Sequence, residues 1–409
     1  MTAATCRSCG SAELHSVLSL GSTPLANSLL TEAELGEPEP TYPLDLRLCR
    51  SCALVQITET VPREVLFRDY LYFSSFSDTM LRHAEELAAR IVAERGLGEA
   101  SLVAEAASND GYLLGFYRAL GVPVLGIEPA LNIAQVAEER GIPTIAEFFD
   151  ATLAHRLAGE GRRPDIFHAH NVLAHVADLN GFVEGISIVL ADEGEAVIEA
   201  PYVKDMIDRC EFDTIYHEHL CYFSLTALAA LFGRHGLAVA NVERIPVHGG
   251  SLRVFARRPG TWSPERAVLD LLGEEAAWGV AEPAAYDAFA LRVTELRAEL
   301  VALLEGLKRD GARIAAYGAA AKGSTLLNVF GIGAETIDFV VDRSTVKVGR
   351  YMPGVHLRID PPERLLDEMP DYLLLLAWNL ADEIMAQQGE YRRRGGRFIV
   401  PVPVPEVIS

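Results

Sequence analysis

The stretch Ser101–Pro129, SLVAEAASNDGYLLGFYRALGVPVLGIEP, decides how the middle of this 409-residue chain folds. An apolar run of strand length, Ser101–Ala106, ends in the small-residue turn Ala107-Ser108-Asn109-Asp110-Gly111. A helical pattern follows, then a second apolar run, Pro123–Ile127, closed by Glu128-Pro129. Strand, turn, helix, strand is the repeating unit of a parallel sheet. The alternation continues with a helix, a strand near Pro143–Ile145, a helix and strand Asp165–Ala169. Helix Leu179–Leu190 and strand Glu195–Glu199 come next. The expectation is an α/β domain whose parallel sheet is covered on both faces.

Ahead of this domain stand two C-x-x-C knuckles, Cys6/Cys9 (with Gly10 next) and Cys49/Cys52. Four thiolates so paired suit one tetrahedral Zn²⁺, and four protein ligands leave no open position for chemistry. A structural metal also explains how so short a segment folds, since it buries too little apolar surface to do so unaided. Leu44, Leu46 and Leu48 alternate with polar residues, and Leu54–Ile57 follow Cys52, the pattern of β-ribbons around a metal. Residues 66–80 read as an aromatic connection, followed by a helix over Met80–Arg95. A long amphipathic helix is expected over Pro283–Arg309. A second strand–turn–helix unit starts at Arg313–Tyr317, with further strands at Ile337–Val341, Tyr372–Leu376 and Arg397–Ile399. The proline-rich tail VPVPVPEVIS is expected to lie extended on the surface. Three units result: 1–65, 66–260 and 261–409.

A net charge of −21 disfavours nucleic-acid and anionic-membrane partners, without excluding an anionic small molecule in a locally positive pocket. No apolar run is long enough to span a bilayer, and MTAATCRSCG does not read as a secretory leader. A reducing cytoplasm is the expected location. Cys210 and Cys221 read as buried or incidental thiols.

In doubly wound sheets ligands bind beyond the carboxyl ends of the strands. There the chain places Glu105, Ser108, Asn109 and Asp110, then Glu128, suited to both hydroxyls of a ribose, then Glu147-Phe148-Phe149-Asp150, suited to an adenine. No G-x-G-x-x-G is present, and an acid at the turn suits a cationic cofactor better than a pyrophosphate. S-adenosylmethionine, with its sulfonium and ammonium, fits that pattern.

Two histidine-rich stretches follow core strands: His168-Ala169-His170-Asn171-Val172-Leu173-Ala174-His175, and Phe212–His219 with its run Tyr216-His217-Glu218-His219. Histidine moves a proton near neutral pH, and tyrosine donates to a developing oxyanion. His217-Glu218-His219 lacks the i, i+4 spacing of a helical zinc pair. Residue type alone leaves His168, His170, His175, His217 and His219 equivalent. In the last unit, Gly318–Thr325 opens a helix where backbone N–H groups, Lys322 and Ser324 could hold a diphosphate, or where a decayed loop serves packing alone. His248-Gly249-Gly250 reads as a tight turn, either against substrate or purely conformational.

Taken in order, CRSCG, PLAN (Pro24–Asn27), YLYFSS (Tyr70–Ser75), SNDG, GIEP, EFFD, IYHEH (Ile215–His219), PVHGGSLR and YGAAAKGSTLLN span nearly the whole chain. This sequence resembles the sugar C-methyltransferases of antibiotic deoxysugar pathways, which methylate C-3 of nucleotide-linked 4-keto-deoxysugars. The resemblance implies a zinc module, a central class I S-adenosylmethionine-dependent methyltransferase domain and a C-terminal Rossmann-like domain. It implies that His219 removes the C-3 proton, with Glu218 beside it. Tyr216, His175, Asn171 and Tyr70 or Tyr72 would surround the sugar. Ala107 replaces the glycine usual in methyltransferase turns, and His217 stands where a relative can have aspartate, which would bear on substrate stereochemistry. Two readings compete. A zinc- and nicotinamide-dependent oxidoreductase needs a dinucleotide fingerprint and an open metal position, and neither is evident. A non-catalytic zinc-knuckle binding protein would bind no adenosyl cofactor.

Overall fold

In a computed structural model, described over residues 4–62, 65–66, 78–247 and 249–409, the chain forms three sheets. Tyr70, Tyr72 and His248 lie outside the described residues.

The first sheet is built from β1 (Leu14–Pro24), β2 (Thr41–Cys49) and β3 (Val55–Ile57), all antiparallel. The alternation of Leu44, Leu46 and Leu48 puts all three leucines on one fully buried face. Helix α1 (Asp78–Arg95) then leads into the central domain, burying Ala84, Leu87, Ala88 and Ile91.

The central domain runs β4 (Val103–Ala106), α2 (Tyr112–Ala119), β5 (Val124–Ile127), α3 (Leu131–Glu139), β6 (Thr144–Ile145), α4 (Ala151–Gly159), β7 (Ile166–His170), α5 (Leu179–Val189) and β8 (Glu195–Pro201). After β8 come α6 (Val203–Asp208), β9 (Cys221–Tyr222), α7 (Leu225–Arg234) and the hairpin β10 (Ala238–Ile245)–β11 (Ser251–Arg257). The sheet order is β10-β11-β8-β7-β4-β5-β6, parallel except at the hairpin. Every residue of β4, β5 and the first four of β7 is buried, as a strand covered on both faces requires. β9 leaves this sheet altogether. It pairs with β3, Val55 opposite Tyr222 and Gln56 opposite Cys221, so the central domain donates a strand to the first sheet.

Two helices, α8 (Arg266–Trp278) and α9 (Pro283–Arg309), lead to the third sheet. It is made of β12 (Ile314–Tyr317), α10 (Ala321–Phe330), β13 (Val340–Val341), β14 (Ile359–Asp360), α11 (Arg364–Glu368), β15 (Tyr372–Leu375), α12 (Ala381–Gln387), α13 (Gly389–Arg393), β16 (Arg397–Val400) and β17 (Glu406–Ile408). Its order, β14-β13-β12-β15-β16-β17, reverses at β12, the geometry of a Rossmann-like sheet. The proline-bearing tail becomes its antiparallel edge strand β17. Among the described residues no helix is long and apolar enough to cross a membrane.

Glu275 joins α8 to the central domain. Fully buried, its carboxylate accepts from Leu225 N (2.7 Å), Thr226 N (2.8 Å) and Thr226 Oγ1 (2.6 Å), satisfying the first turn of α7. Glu275→Ala is expected to cost about 2–3 kcal/mol, because buried donors lose their acceptor. Urea unfolding measures this; a change under 0.5 kcal/mol contradicts it.

Candidate active site

The turn after β4 holds three residues at positive φ: Ala107 (51°), Asn109 (50°) and Gly111 (75°). At Gly111 a Cβ would sit 2.8 Å from Ile142 Cγ1, so glycine is required there for space as well as conformation. Ala107 adopts the left-handed region at some cost, and that strain sits beside the candidate cofactor pocket. Glu128, at the end of β5, accepts from Asn109 N (3.0 Å) and Ala130 N (2.9 Å), which ties the two turns together. Asp110 pairs with Arg140 at 2.8 Å.

Glu105 is buried on β4, and among the described residues its Oε2, the buried Ser108 Oγ and Asn171 Oδ1 have no hydrogen-bond partner. Burial, then the nearby Glu128, Glu199 and Asp110, hold the Glu105 carboxyl well above the usual range. Such unused acceptors and stacked acids fit a ligand that brings cationic charge and hydroxyl donors. The S-adenosylmethionine reading passes that test.

The adenine edge is less uniform. Phe149 is a core ring, 4.7 Å from Phe167 and 5.2 Å from Phe182 between centroids. Asp150 caps α4 through Leu153 N, and Glu147 is half exposed and paired with Arg156. Phe148, half-buried, is the ring of that segment not absorbed into the core.

The five histidines separate into three groups. His168, on β7, bonds to Tyr117 Oη of α2 (2.9 Å) and to His170 (3.0 Å). Burial lowers both, His170 to about 4. His170 lies 3.8 Å from buried Glu199, which Arg253 and His83 also hold. These two histidines belong to an internal network. His217 points to the first sheet, donating through Nε2 to Tyr42 O (3.1 Å) and Pro43 O (3.2 Å). Its side chain joins the histidine loop to the first sheet.

His175 and His219 come together, their ring centroids 4.8 Å apart. Thr214 O lies 2.9 Å from His219 Nδ1, and Tyr216 Oη lies 3.0 Å from Nε2. A carbonyl only accepts, so Nδ1 carries the hydrogen and the Nε2 lone pair faces the tyrosine hydroxyl. His175 Nδ1 likewise donates to Glu218 O (2.7 Å), and burial lowers its pKa. Glu218, itself buried, is raised to about 7 by desolvation, opposed by the Asn27 amide at 2.7 Å.

On α10, Lys322 Nζ and Ser324 Oγ are buried with no hydrogen-bond partner among the described residues. Nζ stands 4.5 Å over the Trp378 ring, and Trp378 Nε1 donates to Asp213 (2.6 Å), just ahead of the histidine loop. Burial raises Asp213 to about 6 and Glu211 to about 7, with the Lys322 charge opposing both shifts. Sequence reading missed Glu211, Asp213 and Trp378. Their common environment is created by contacts more than 100 residues apart, and nothing in their local spacing announces it.

The four cysteines of the knuckles are unbridged, and their sulfurs all lie within 4.8 Å of one another. Cys6 and Cys52 are separated by 3.5 Å and Cys9 and Cys49 by 3.6 Å. Tetrahedral Zn–S bonds of about 2.3 Å place sulfurs about 3.8 Å apart, so the set fits zinc. Gly10 (φ 74°) and Ala53 (φ 58°) close the knuckles, each N–H bonding back to the first cysteine carbonyl at 2.9 Å.

Fold and site together define an S-adenosylmethionine-dependent methyltransferase with a zinc-binding module. Family models match three consecutive segments: "Putative zinc binding domain" over 6–67, "Methyltransferase domain" over 80–242 and "C-methyltransferase C-terminal domain" over 246–403. The chain is 40% identical over 405 residues to C-methyltransferase NovU of Streptomyces niveus, covering 99% of this chain and 96% of that protein. It belongs to the sugar C-methyltransferase family with an N-terminal zinc domain. Among solved structures it is similar to magnesium protoporphyrin IX methyltransferase (ChlM) from Synechocystis PCC 6803 with bound SAM. Identity there is 13% and the TM-score 0.35, over 48% of this chain and 89% of that one. It is also similar to PH0226 protein from Pyrococcus horikoshii, with 13% identity and TM-score 0.36, over 49% of this chain and all of the other. Family membership rests on the whole-length relative and the family models, not on these likenesses.

Chelating the zinc is expected to lower the thermal midpoint by about 5 °C or more, because the first sheet loses its cross-link. A stripped protein, verified by metal analysis, that melts with the loaded one would remove the metal from this account.

Proposed function

We propose that this protein transfers a methyl group to C-3 of a nucleotide diphosphate-linked 4-keto-deoxysugar, in the cytoplasmic assembly of a deoxysugar such as antibiotic pathways use. The observation that carries the reading is the His219 imidazole. One nitrogen is committed to a backbone carbonyl and the other is a lone pair beside a phenol and a second imidazole.

A carbonyl acidifies its neighbouring C–H, because the resulting carbanion delocalises onto oxygen. His219 Nε2 takes that proton, and the Thr214 carbonyl stabilises the imidazolium formed. The Tyr216 hydroxyl, released from Nε2, donates to the growing charge on the 4-keto oxygen. His175, with Nδ1 donating to Glu218 O, is proposed to flank the sugar beside His219. Tyr70 or Tyr72 is proposed as a further donor to the sugar, and His248 as a neighbour of it. Glu105, Ser108, Asn109, Asp110, Glu128, Glu147, Phe148 and Asn171 are the residues proposed to hold S-adenosylmethionine. When bound, that cofactor supplies an electrophilic methyl group to the carbon from which the proton was taken. Lys322 and Ser324, with their buried and unused donors, are proposed to hold the diphosphate at the start of α10.

Incubation with methyl-labelled S-adenosylmethionine and a panel of nucleotide-linked 4-ketosugars tests the reaction. No labelled sugar from any member would refute it. His219→Asn is expected to lose about a thousandfold in rate and to abolish deuterium washout at C-3; normal washout removes the base from His219. Lys322→Met is expected to raise KM for the nucleotide sugar about tenfold with S-adenosylmethionine affinity intact. An unchanged KM returns Lys322 to a packing role.

A further inference from the structure

Asn27 lies in the turn that leaves the first sheet after β1. Leu25 and Ala26 before it are buried, while Asn27 itself is exposed. Its Nδ2 donates to Glu218 Oε1 at 2.7 Å across 191 residues of chain. The turn is pinned from the other side by the C-terminal domain. Leu30 and Tyr351 exchange both backbone hydrogen bonds (2.9 and 2.8 Å), and Glu39 accepts from Gly354 N at 2.7 Å. A Cβ on Gly354 would come within 3.0 Å of Pro24 Cγ, so the turn and the C-terminal domain are in close packing.

We infer that Asn27 is a positioning residue of the active site: the zinc module reaches over the catalytic loop and fixes the Glu218 carboxyl by one amide hydrogen bond. The loop bearing Glu218 has few ways to escape that bond. Leu220 O accepts from Ile57 N (3.0 Å), His217 is bonded to β2, and the Glu218 carbonyl accepts from His175. The carboxyl's orientation is therefore set by Asn27 on one side and by a backbone held on the other. An amide donor stabilises the ionised carboxylate, so Asn27 also sets the pH at which Glu218 can accept rather than donate. Among the described residues, the titratable groups close to this carboxyl along its loop and facing turn are His175, Tyr216, His217 and His219. None of their charges is a cause of its shift, which comes from burial and Asn27.

The inference rests on the proposed reaction for its catalytic consequence, but not for its measurement. Isotope-edited infrared titration of the zinc-loaded enzyme, with Glu218→Gln as the subtraction reference, reads the Glu218 carboxyl directly. Asn27→Leu is expected to move that titration upward by about one pH unit. Asn27→Asp keeps the shape, exchanges donor for acceptor, and is expected to move it further. Zinc content and S-adenosylmethionine affinity by calorimetry are expected to stay at wild-type values in both variants. With a 4-ketosugar that the wild-type enzyme turns over, kcat is expected to fall about tenfold, and the acid limb of its pH profile to follow the infrared titration. A Glu218 titration unmoved in both variants overturns the assignment, whatever the substrate proves to be. Absence of washout in the wild-type enzyme sinks the proposed reaction instead, and the infrared result still decides the role of Asn27.

Discussion

The pairing of β9 with β3 is the contact on which the site depends. Two residues of the central domain, Cys221 and Tyr222, complete the sheet of the zinc module. The loop that precedes them holds Thr214, Tyr216, His217, Glu218 and His219. A loop of this length between α6 and α7 would otherwise cost conformational entropy at every residue. Anchoring its end to a sheet that a metal cross-links converts that cost into a fixed geometry. A zinc ion held by the four cysteines would therefore bear on the histidine-bearing loop through strand pairing. A structural metal and a candidate catalytic loop are parts of one construction.

The electrostatics follow from where that loop is held. In a chain of net charge −21, the acids that matter are those taken out of water. Glu105, Glu128 and Glu218 are each nearly or wholly buried, and desolvation raises all three. Burial lowers His175 in the opposite direction. Each of these groups therefore has its charged form disfavoured. A ligand with positive charge relieves the acids at the β4 turn. A neutral imidazole at His219 gains most from partners that stabilise its protonated form, and Thr214 O is one such partner. The same low-polarity setting makes each hydrogen bond to a developing charge worth more than it would be in water.

Much of this architecture was legible in the residues. The β–turn–helix rhythm from Ser101, the paired knuckles and the long helix Pro283–Arg309 all describe local periodicity, and the structure repeats them. The hairpin β10–β11 and strand β9 were not legible, because their strand character comes from what they pair with. Cys221-Tyr222 is too short for any pattern, and only the edge offered by β3 makes it a strand. The histidines show the same limit. His168 and His170 alternate on a strand and looked equal to His175 and His219. Which of them face a cleft depends on the depth of β7 in the sheet and on a loop arriving from beyond β8. In the sequence Phe148 and Phe149, flanked by Glu147 and Asp150, suit an adenine equally well. Phe167 and Phe182, which claim Phe149 for the core, come from a strand and a helix whose side-chain directions the sequence does not state.

The proposed division of labour, with His219 as base and Glu218 as a fixed acceptor, has a physical reason. Burial raises the Glu218 carboxyl to about 7, so residue type alone would not choose between the two groups. Geometry does. His219 has one nitrogen tethered by Thr214 and the other aimed at a hydroxyl, so the positive charge that a proton on Nε2 brings is stabilised by the carbonyl dipole already fixed at Nδ1. Protonating Glu218 would instead weaken its bond to Asn27, because a neutral acid accepts more feebly than its anion. The acid therefore serves best as a stationary acceptor. The imidazole, held by groups that tolerate its cationic form, serves best as the mobile base.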